Sequence, residues 1–164
     1  MRDHPPAKLH RVSRRQCLCQ VVLAGLALPL AIRSGSAGAA SAVETIVQPD
    51  RPTPHAFMQR AFDMKHQAEA MGDQPYGAVV VRDGRVVGQS PSWVVVRGDL
   101  GAHAEREAIG DALSRVGGQL AGSILYSTSR PCPICERAAA EAAISRMIHG
   151  EALTDAGPPR GGSN

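Results

Sequence analysis

The chain has 164 residues, of which 43% are hydrophobic, 20% charged and only 3% aromatic; this fits one globular domain, excludes a disordered chain and leaves a core of Val, Ile, Leu, Met and Ala. The net charge of +3 is unevenly divided: residues 1–42 hold six Arg/Lys against one acid, whereas residues 43–164 hold twelve bases, Lys65 the sole lysine, against fourteen acids. Beyond residue 42 the basic footprint of a nucleic-acid binder is therefore missing, and no run of about eighteen apolar residues is present to form a membrane span.

The first 42 residues have the pattern of an export signal. A basic stretch from Lys8 to Arg15 precedes the unbroken apolar run Val21–Ile32, which is too short for a span but suits a signal core. Small residues follow, with A-x-A cleavage patterns ending at Ala39 and Ala42. Within the basic stretch, Ser13-Arg14-Arg15-Gln16-Cys17-Leu18 resembles a bacterial twin-arginine signal, with Cys17 where Phe is usual. That resemblance implies the twin-arginine export machinery as a partner, a periplasmic or secreted mature protein, and no lasting membrane anchor after processing. Cys17 and Cys19 would leave with the signal, so the mature part keeps only Cys132 and Cys135 and has no disulfide framework.

Residues 43–52 read as a linker. Thr53 as N-cap and Pro54 at the first helical position start a helix whose apolar residues Phe57, Ala61, Met64, Ala68 and Met71 recur at helical spacing until Gly72 stops it. Residues 77–81 and 85–88 flank Arg82-Asp83-Gly84, a hairpin signal. Residues 90–101 read mostly as loop, with a short apolar run from Trp93 to Val96. A helix follows from His103 to about Val116, closed by Gly117-Gly118; then come a buried strand over 123–127, a helix from Pro133 to about Ala143 and a short strand over 146–149. Residues 151–164, rich in Gly and Pro, read as a flexible tail. Strands alternating with helices in the second half imply an α/β layered domain.

One constellation carries chemistry: His103-Ala104-Glu105 and, further on, Pro131-Cys132-Pro133-Ile134-Cys135. His and Cys suit zinc, and three protein ligands with a fourth position left for water is the catalytic rather than the structural arrangement. Cys-x-x-Cys lets two sulfurs grip one ion from a single turn. His103 and the Cys pair each open a helix, so two helix N-termini would face the ion and favour thiolates. Zn²⁺ with two thiolates and a neutral His is formally uncharged and acidifies water weakly, so a carboxylate that moves protons is useful; Glu105 is that carboxylate and need not bind the metal. Taken alone, Cys132 and Cys135 also fit a redox pair. A structural zinc site would need a fourth ligand, for which His149, His55 and His66 are available. Tyr76 and Trp93 suit either packing or a ligand pocket, and Gly77 either a close approach to a ligand or a strand start.

The same residues resemble the zinc signature of the cytidine/deoxycytidylate deaminase superfamily, H-x-E followed by P-C-x-x-C. Pro75-Tyr76-Gly77-Ala78-Val79-Val80-Val81 is similar to that family's first strand, Asp99 stands four before His103 as in its guanine, cytosine and tRNA-adenosine branch, and Leu125-Tyr126-Ser127-Thr128 is similar to the strand leading to the Cys pair. Over about Thr53–Gly150 the resemblance implies a three-layer α/β/α sandwich with a mixed sheet of four to five strands, often as a homodimer. It further implies one zinc held by His103, Cys132 and Cys135, with Glu105 as catalytic proton carrier in hydrolytic deamination.

The sequence departs from the family at three points. Arg130 replaces the Glu common before Pro-Cys, Leu100-Gly101 replaces Pro-Thr, and Ser92 falls where this branch usually has a base-reading Asn; the sole asparagine is Asn164. The expected substrate is a free nucleobase, nucleoside or related amino-heterocycle in a pocket including Tyr76, Gly77, Ser92 and Trp93. The alternatives are a tRNA/RNA adenosine deaminase, which the charge balance disfavours, and a zinc-stabilised non-catalytic binding module, which the retained Glu105 disfavours.

Overall fold

The computed structural model describes residues 45–161. The expected export signal over 1–42, with Arg14 and Arg15, lies outside the described residues. In chain order the elements are α1 (Pro54–Ala70), β1 (Gly77–Arg82), β2 (Arg85–Pro91), α2 (Val94–Arg97), α3 (Ala104–Val116), β3 (Ile124–Ser127), α4 (Pro133–Glu141), β4 (Arg146–His149) and β5 (Thr154–Gly157). The five strands form one mixed sheet in the order β2-β1-β3-β4-β5; β3 and β4 are parallel and the other neighbours antiparallel.

Strand alternation builds three layers. Ala78 and Val80 of β1 and Leu125 of β3 pack with Ala104, Ala108, Ile109 and Ala112 of α3 and Ala139 of α4. Their neighbours Val79, Val81 and Tyr126 face the other way, onto Phe57, Met58, Ala61 and Met64 of α1. The sheet is thus covered on both faces, which accounts for a β1 of consecutive valines rather than an apolar–polar alternation. Small side chains and glycines set how closely the helices approach. A Cβ on Gly77 would run into the Ala61 carbonyl and the Lys65 amide of α1, and one on Gly88 would lie 2.6 Å from the Ala112 amide of α3.

Local signals act as expected at the element ends. Thr53 Oγ1 accepts from the Ala56 amide at 3.2 Å, with Pro54 opening α1. Asp83 and Gly84 take φ values of 50° and 72°, the left-handed pair of a tight hairpin turn.

The chain differs from the sequence reading in three places. First, β2 runs on to Pro91, and the apolar run after it is a short helix, α2, rather than loop. Its first turn is held from far away: Asp73 Oδ2 accepts from the Val95 and Val96 amides at 2.9 and 2.8 Å. Secondly, part of the expected flexible tail is β5, which pairs with β4 and covers an edge that would otherwise be open, with Arg146 and Asp155 3.0 Å apart across the pair. Thirdly, the expected linker contains Gln48, whose side-chain amide donates to the Val86 carbonyl (2.8 Å) and accepts from the Val86 amide (2.9 Å) on the outer side of β2.

Gly88→Ala is expected to lower the stability of the domain by about 1–3 kcal/mol, the range for forcing extra volume into a packed site. Gly110→Ala, at a position with nothing within 4 Å of the added Cβ, should be neutral or stabilising by up to about 1 kcal/mol. Urea midpoints of the two variants check this, and equal effects would contradict the close approach of α3 to β2.

Candidate active site

The site forms where two helices begin. His103 is the N-cap of α3 and Cys132 the N-cap of α4, and neither side chain caps its own helix. They turn to each other instead: His103 Nδ1 lies 3.5 Å from Cys132 Sγ and 3.4 Å from Cys135 Sγ, and the two sulfurs are 3.3 Å apart. Pro133, first in α4, has no amide to leave unpaired, and Cys135 one turn in is fully buried. Glu105, in the first turn of α3, is 6% exposed, with Oε2 3.6 Å from Cys135 Sγ.

The donor set fits zinc. Tetrahedral bonds of about 2.3 Å to sulfur and 2.0–2.1 Å to nitrogen place ligand atoms about 3.6–3.8 Å apart, and the observed triangle is only a few tenths of an ångström tighter. Among the described residues, His103, Cys132 and Cys135 are the group whose ligand atoms converge in this way. The histidines considered as a fourth ligand are elsewhere: His55 and His66 line a hollow along α1, and His149 ends β4. The two cysteines are free thiols rather than a disulfide.

The electrostatics of the metal-free cluster favour protons. Burial pushes the Cys135 thiol well above its usual range, and the neighbouring Glu105 charge pushes it further. Burial likewise raises the Glu105 carboxyl, against smaller opposing effects from its own amide, the Cys135 thiol and His103. A metal entering this cluster must displace a proton from Cys135, so zinc affinity weakens as the pH falls.

A cavity of about 280 Å³ adjoins the cluster; His103, Ala104, Glu105 and Cys132 line it together with Gln74, Tyr76, Ser92, Ser129 and Arg130. Larger hollows of about 400 and 370 Å³, along α1 and between α3 and α4, include none of the three ligands. Of the residues expected in the pocket, Tyr76 and Ser92 line it, Tyr76 with 43% of its surface exposed. Gly77 and Trp93 do not. Gly77 has no side chain because α1 lies against it, and its amide and carbonyl bond Thr128 Oγ1 and the Thr128 amide at 3.1 and 3.0 Å. Trp93 Nε1 donates to Ser90 Oγ at 3.2 Å, and the Arg97 guanidinium lies 4.6 Å from the ring centre.

Ser92 is buried and bonded to Asp73. Burial alone would raise the Asp73 carboxyl, but bonds from Val96, Ser92, Gln74 and Val95 hold it below its usual value. Asp73 therefore fixes one wall of the cavity by tying Ser92 to α2. The sequence reading missed Asp73, Gln74 and Ser129. No local pattern marks them, since their partners lie far off in the chain.

Residues 52–151 match the family defined as the cytidine and deoxycytidylate deaminase zinc-binding region. The chain is 35% identical over 96 residues to a tRNA-specific adenosine deaminase of Haemophilus influenzae, covering 57% of this chain and 56% of that one. It is 34% identical over 102 residues to a guanine deaminase of Bacillus subtilis, covering 61% and 65%. The X-ray structure of guanine deaminase from Bacillus subtilis superimposes with a TM-score of 0.57 at 32% identity, over 60% of this chain and 64% of that chain. The chain thus spans a little over half to about two thirds of the length of these relatives.

The purified protein is expected to carry one zinc per chain. Cys135→Ser should lose nearly all of it and melt several degrees lower, because metal binding and folding are coupled, whereas His149→Ala should keep its zinc. Metal analysis and thermal melts of both variants check the ligand set, and zinc retained by Cys135→Ser would remove Cys135 from it.

Proposed function

The chain belongs to the cytidine and deoxycytidylate deaminase zinc-binding family, and within it we propose that this protein hydrolytically deaminates a free nucleobase, nucleoside or related amino-heterocycle, releasing ammonia. The observation that carries this reading is the buried Glu105 carboxylate beside the His103, Cys132 and Cys135 triad, in a cavity of about 280 Å³. Zinc, when bound there, supplies a Lewis acid that lowers the pKa of water at neutral pH.

The chain's own residues do the rest. Glu105 accepts one proton of the attacking water and passes it to the ring nitrogen, then takes the second proton from the newly added hydroxyl and passes it to the departing amine, so that it ends as it began. Its burial beside Cys135 keeps solvent from competing for that proton. Tyr76 offers an apolar face to a heterocycle, and Ser92 and Gln74 offer polar atoms along the wall. The Ser92 hydroxyl oxygen accepts from the Val94 amide at 3.5 Å, a long contact that leaves a second lone pair for a substrate amine.

A second reading, an adenosine deaminase acting on tRNA, is favoured by the similarity to the Haemophilus influenzae protein of that name. Against it, residues 43–164 carry two more acids than bases and one lysine, too little clustered cation to offset many phosphates. A free heterocycle also avoids the few kcal/mol needed to extrude a base from folded RNA.

Glu105→Gln is expected to keep zinc and fold while turnover falls by about 10²–10⁴-fold, the share of a positioned acid–base group. Ammonia release by zinc-loaded protein over a panel of bases and nucleosides, with a tRNA anticodon stem-loop beside them, decides between the readings. Inosine formed in the stem-loop with every small compound inert would replace the first reading by the second.

Export by the twin-arginine route is part of the same proposal, supported by Arg14-Arg15, the apolar run after them and the small residues that follow. That route carries folded chains, so zinc would be loaded before export. Arg14→Lys with Arg15→Lys should leave unprocessed precursor in the cytoplasm; normal processing of the double variant, followed by immunoblot of cell fractions, would dismiss the twin-arginine route.

A further inference from the structure

We propose that Arg130 makes the site selective for amino-heterocycles that carry an anionic substituent, either a phosphate monoester or a carboxylate; the inference rests on the deaminase reading and names its substrate class. Arg130 lines the same cavity as Glu105, His103 and Cys132. The other lining groups that can carry charge near neutral pH are already committed. His103 and Cys132 belong to the metal set, and Glu105 is buried against Cys135. Arg130 is therefore the one exposed charge on the cavity lining.

Among the described residues no carboxylate lies within ion-pair distance of it; Glu136 is held low first by its bonds from Arg160, and the Arg130 charge adds the smallest share. Among the described residues, Arg60, Arg97, Arg115, Arg146 and Arg160 each hold a carboxylate, whereas Arg130 takes part in no ion pair. The carboxylate of Glu136, on the first turn of α4, is occupied by Arg160, which donates to it at 3.0 Å from both its backbone amide and Nε.

The backbone that carries Arg130 is pinned on both sides. Thr128 is bonded twice to Gly77, Ser127 Oγ donates to the Ser129 carbonyl, Pro131 is buried, and Cys132 joins the metal cluster. The guanidinium therefore starts from a fixed point, and only side-chain torsions are left to order when it binds. Its fork matches two oxygens of a carboxylate or phosphate, and a charge on a concave wall acts more strongly than one on open surface. The Gln74 amide and Ser129 hydroxyl add neutral donors on the same lining. A single guanidinium in an otherwise acidic domain suits one anionic group rather than a polyanionic strand.

The test measures kcat/KM of the zinc-loaded protein for matched pairs. Cytidine, adenosine and guanosine are compared with their 5′-monophosphates, and cytosine with 5-carboxycytosine. The anionic member of at least one pair should be preferred about tenfold or more, as expected of a charge-assisted bidentate contact, and added salt should erode the preference. Preference within the nucleoside pairs identifies a phosphate, and preference within the base pair a carboxylate. Arg130→Gln should bring the preferred pair toward parity, and Arg130→Glu should invert it. Parity in every wild-type pair, a preference unmoved by Arg130→Gln, or a tRNA stem-loop favoured over every small compound would overturn the proposal. Equilibrium dialysis with the same pairs separates the two levels of inference. Arg130-dependent binding of an anionic compound without any turnover would sustain the anion site and defeat the deaminase reading. Turnover that ignores both charge and Arg130 would do the reverse.

Discussion

Two helices begin in this fold with capping side chains that turn away from their own backbones. His103 and Cys132 hold the positions from which a side chain usually satisfies the first amides of a helix, and both point at each other instead. The positive ends of α3 and α4 thus meet at one place, where they help a divalent ion to displace the proton that burial otherwise holds on Cys135. The sheet makes this meeting happen. β1 and β3 are neighbours at its centre, α3 and α4 pack on the same face of them, and the turn after β3 delivers Cys132 beside His103. Glu105 is carried along because it stands two positions after the cap, buried beside Cys135.

Much of this was legible in the chain itself. Pro54, Asp83-Gly84 and Gly117 announce their turns because their backbone preferences are local. His103, Glu105, Cys132 and Cys135 announce the cluster because metal ligands must be particular residue types at particular spacings. What stayed hidden depends on partners far apart in sequence. The run Trp93–Val96 looks like loop because the carboxylate that turns it into a helix is Asp73, more than twenty residues earlier. Residues 154–157 look like loose tail because the edge they cover is β4. On sequence alone Gly77 fits a close approach to a ligand or a strand start; it opens β1, and its missing side chain makes room for α1. Trp93, an aromatic next to an expected pocket residue, instead anchors α2 through Ser90 and Arg97.

The two halves of the site are built to different standards of constraint. The metal ligands sit at the starts of α3 and α4, which pack on the central sheet. The substrate wall is assembled from the Asp73–Tyr76 segment, the end of β2 and the loop before Cys132, tied together by Asp73 and by the Thr128–Gly77 bonds. Reaction chemistry therefore follows from the fold's rigid centre, while specificity follows from segments where single residues such as Ser92 and Arg130 change the character of the pocket without touching the core. Proteins of one fold diverge in substrate through such segments.

Gln48 has a further consequence, for the company this molecule keeps with its own copies. A sheet that ends in β2 would present a row of free amides and carbonyls, the template on which another chain adds a strand and aggregation begins. The Gln48 side chain has the shape of a peptide group, with one donor and one acceptor, and it occupies both backbone atoms of Val86 as a neighbouring strand would. Three residues on, the Gln89 amide is taken by Asp111 at 3.0 Å, and its side chain by Arg60. The β2 edge is thus occupied at Val86 and Gln89 by side chains rather than by another strand. A chain approaching along β2 meets a template already interrupted at these two positions, which blunts strand addition there.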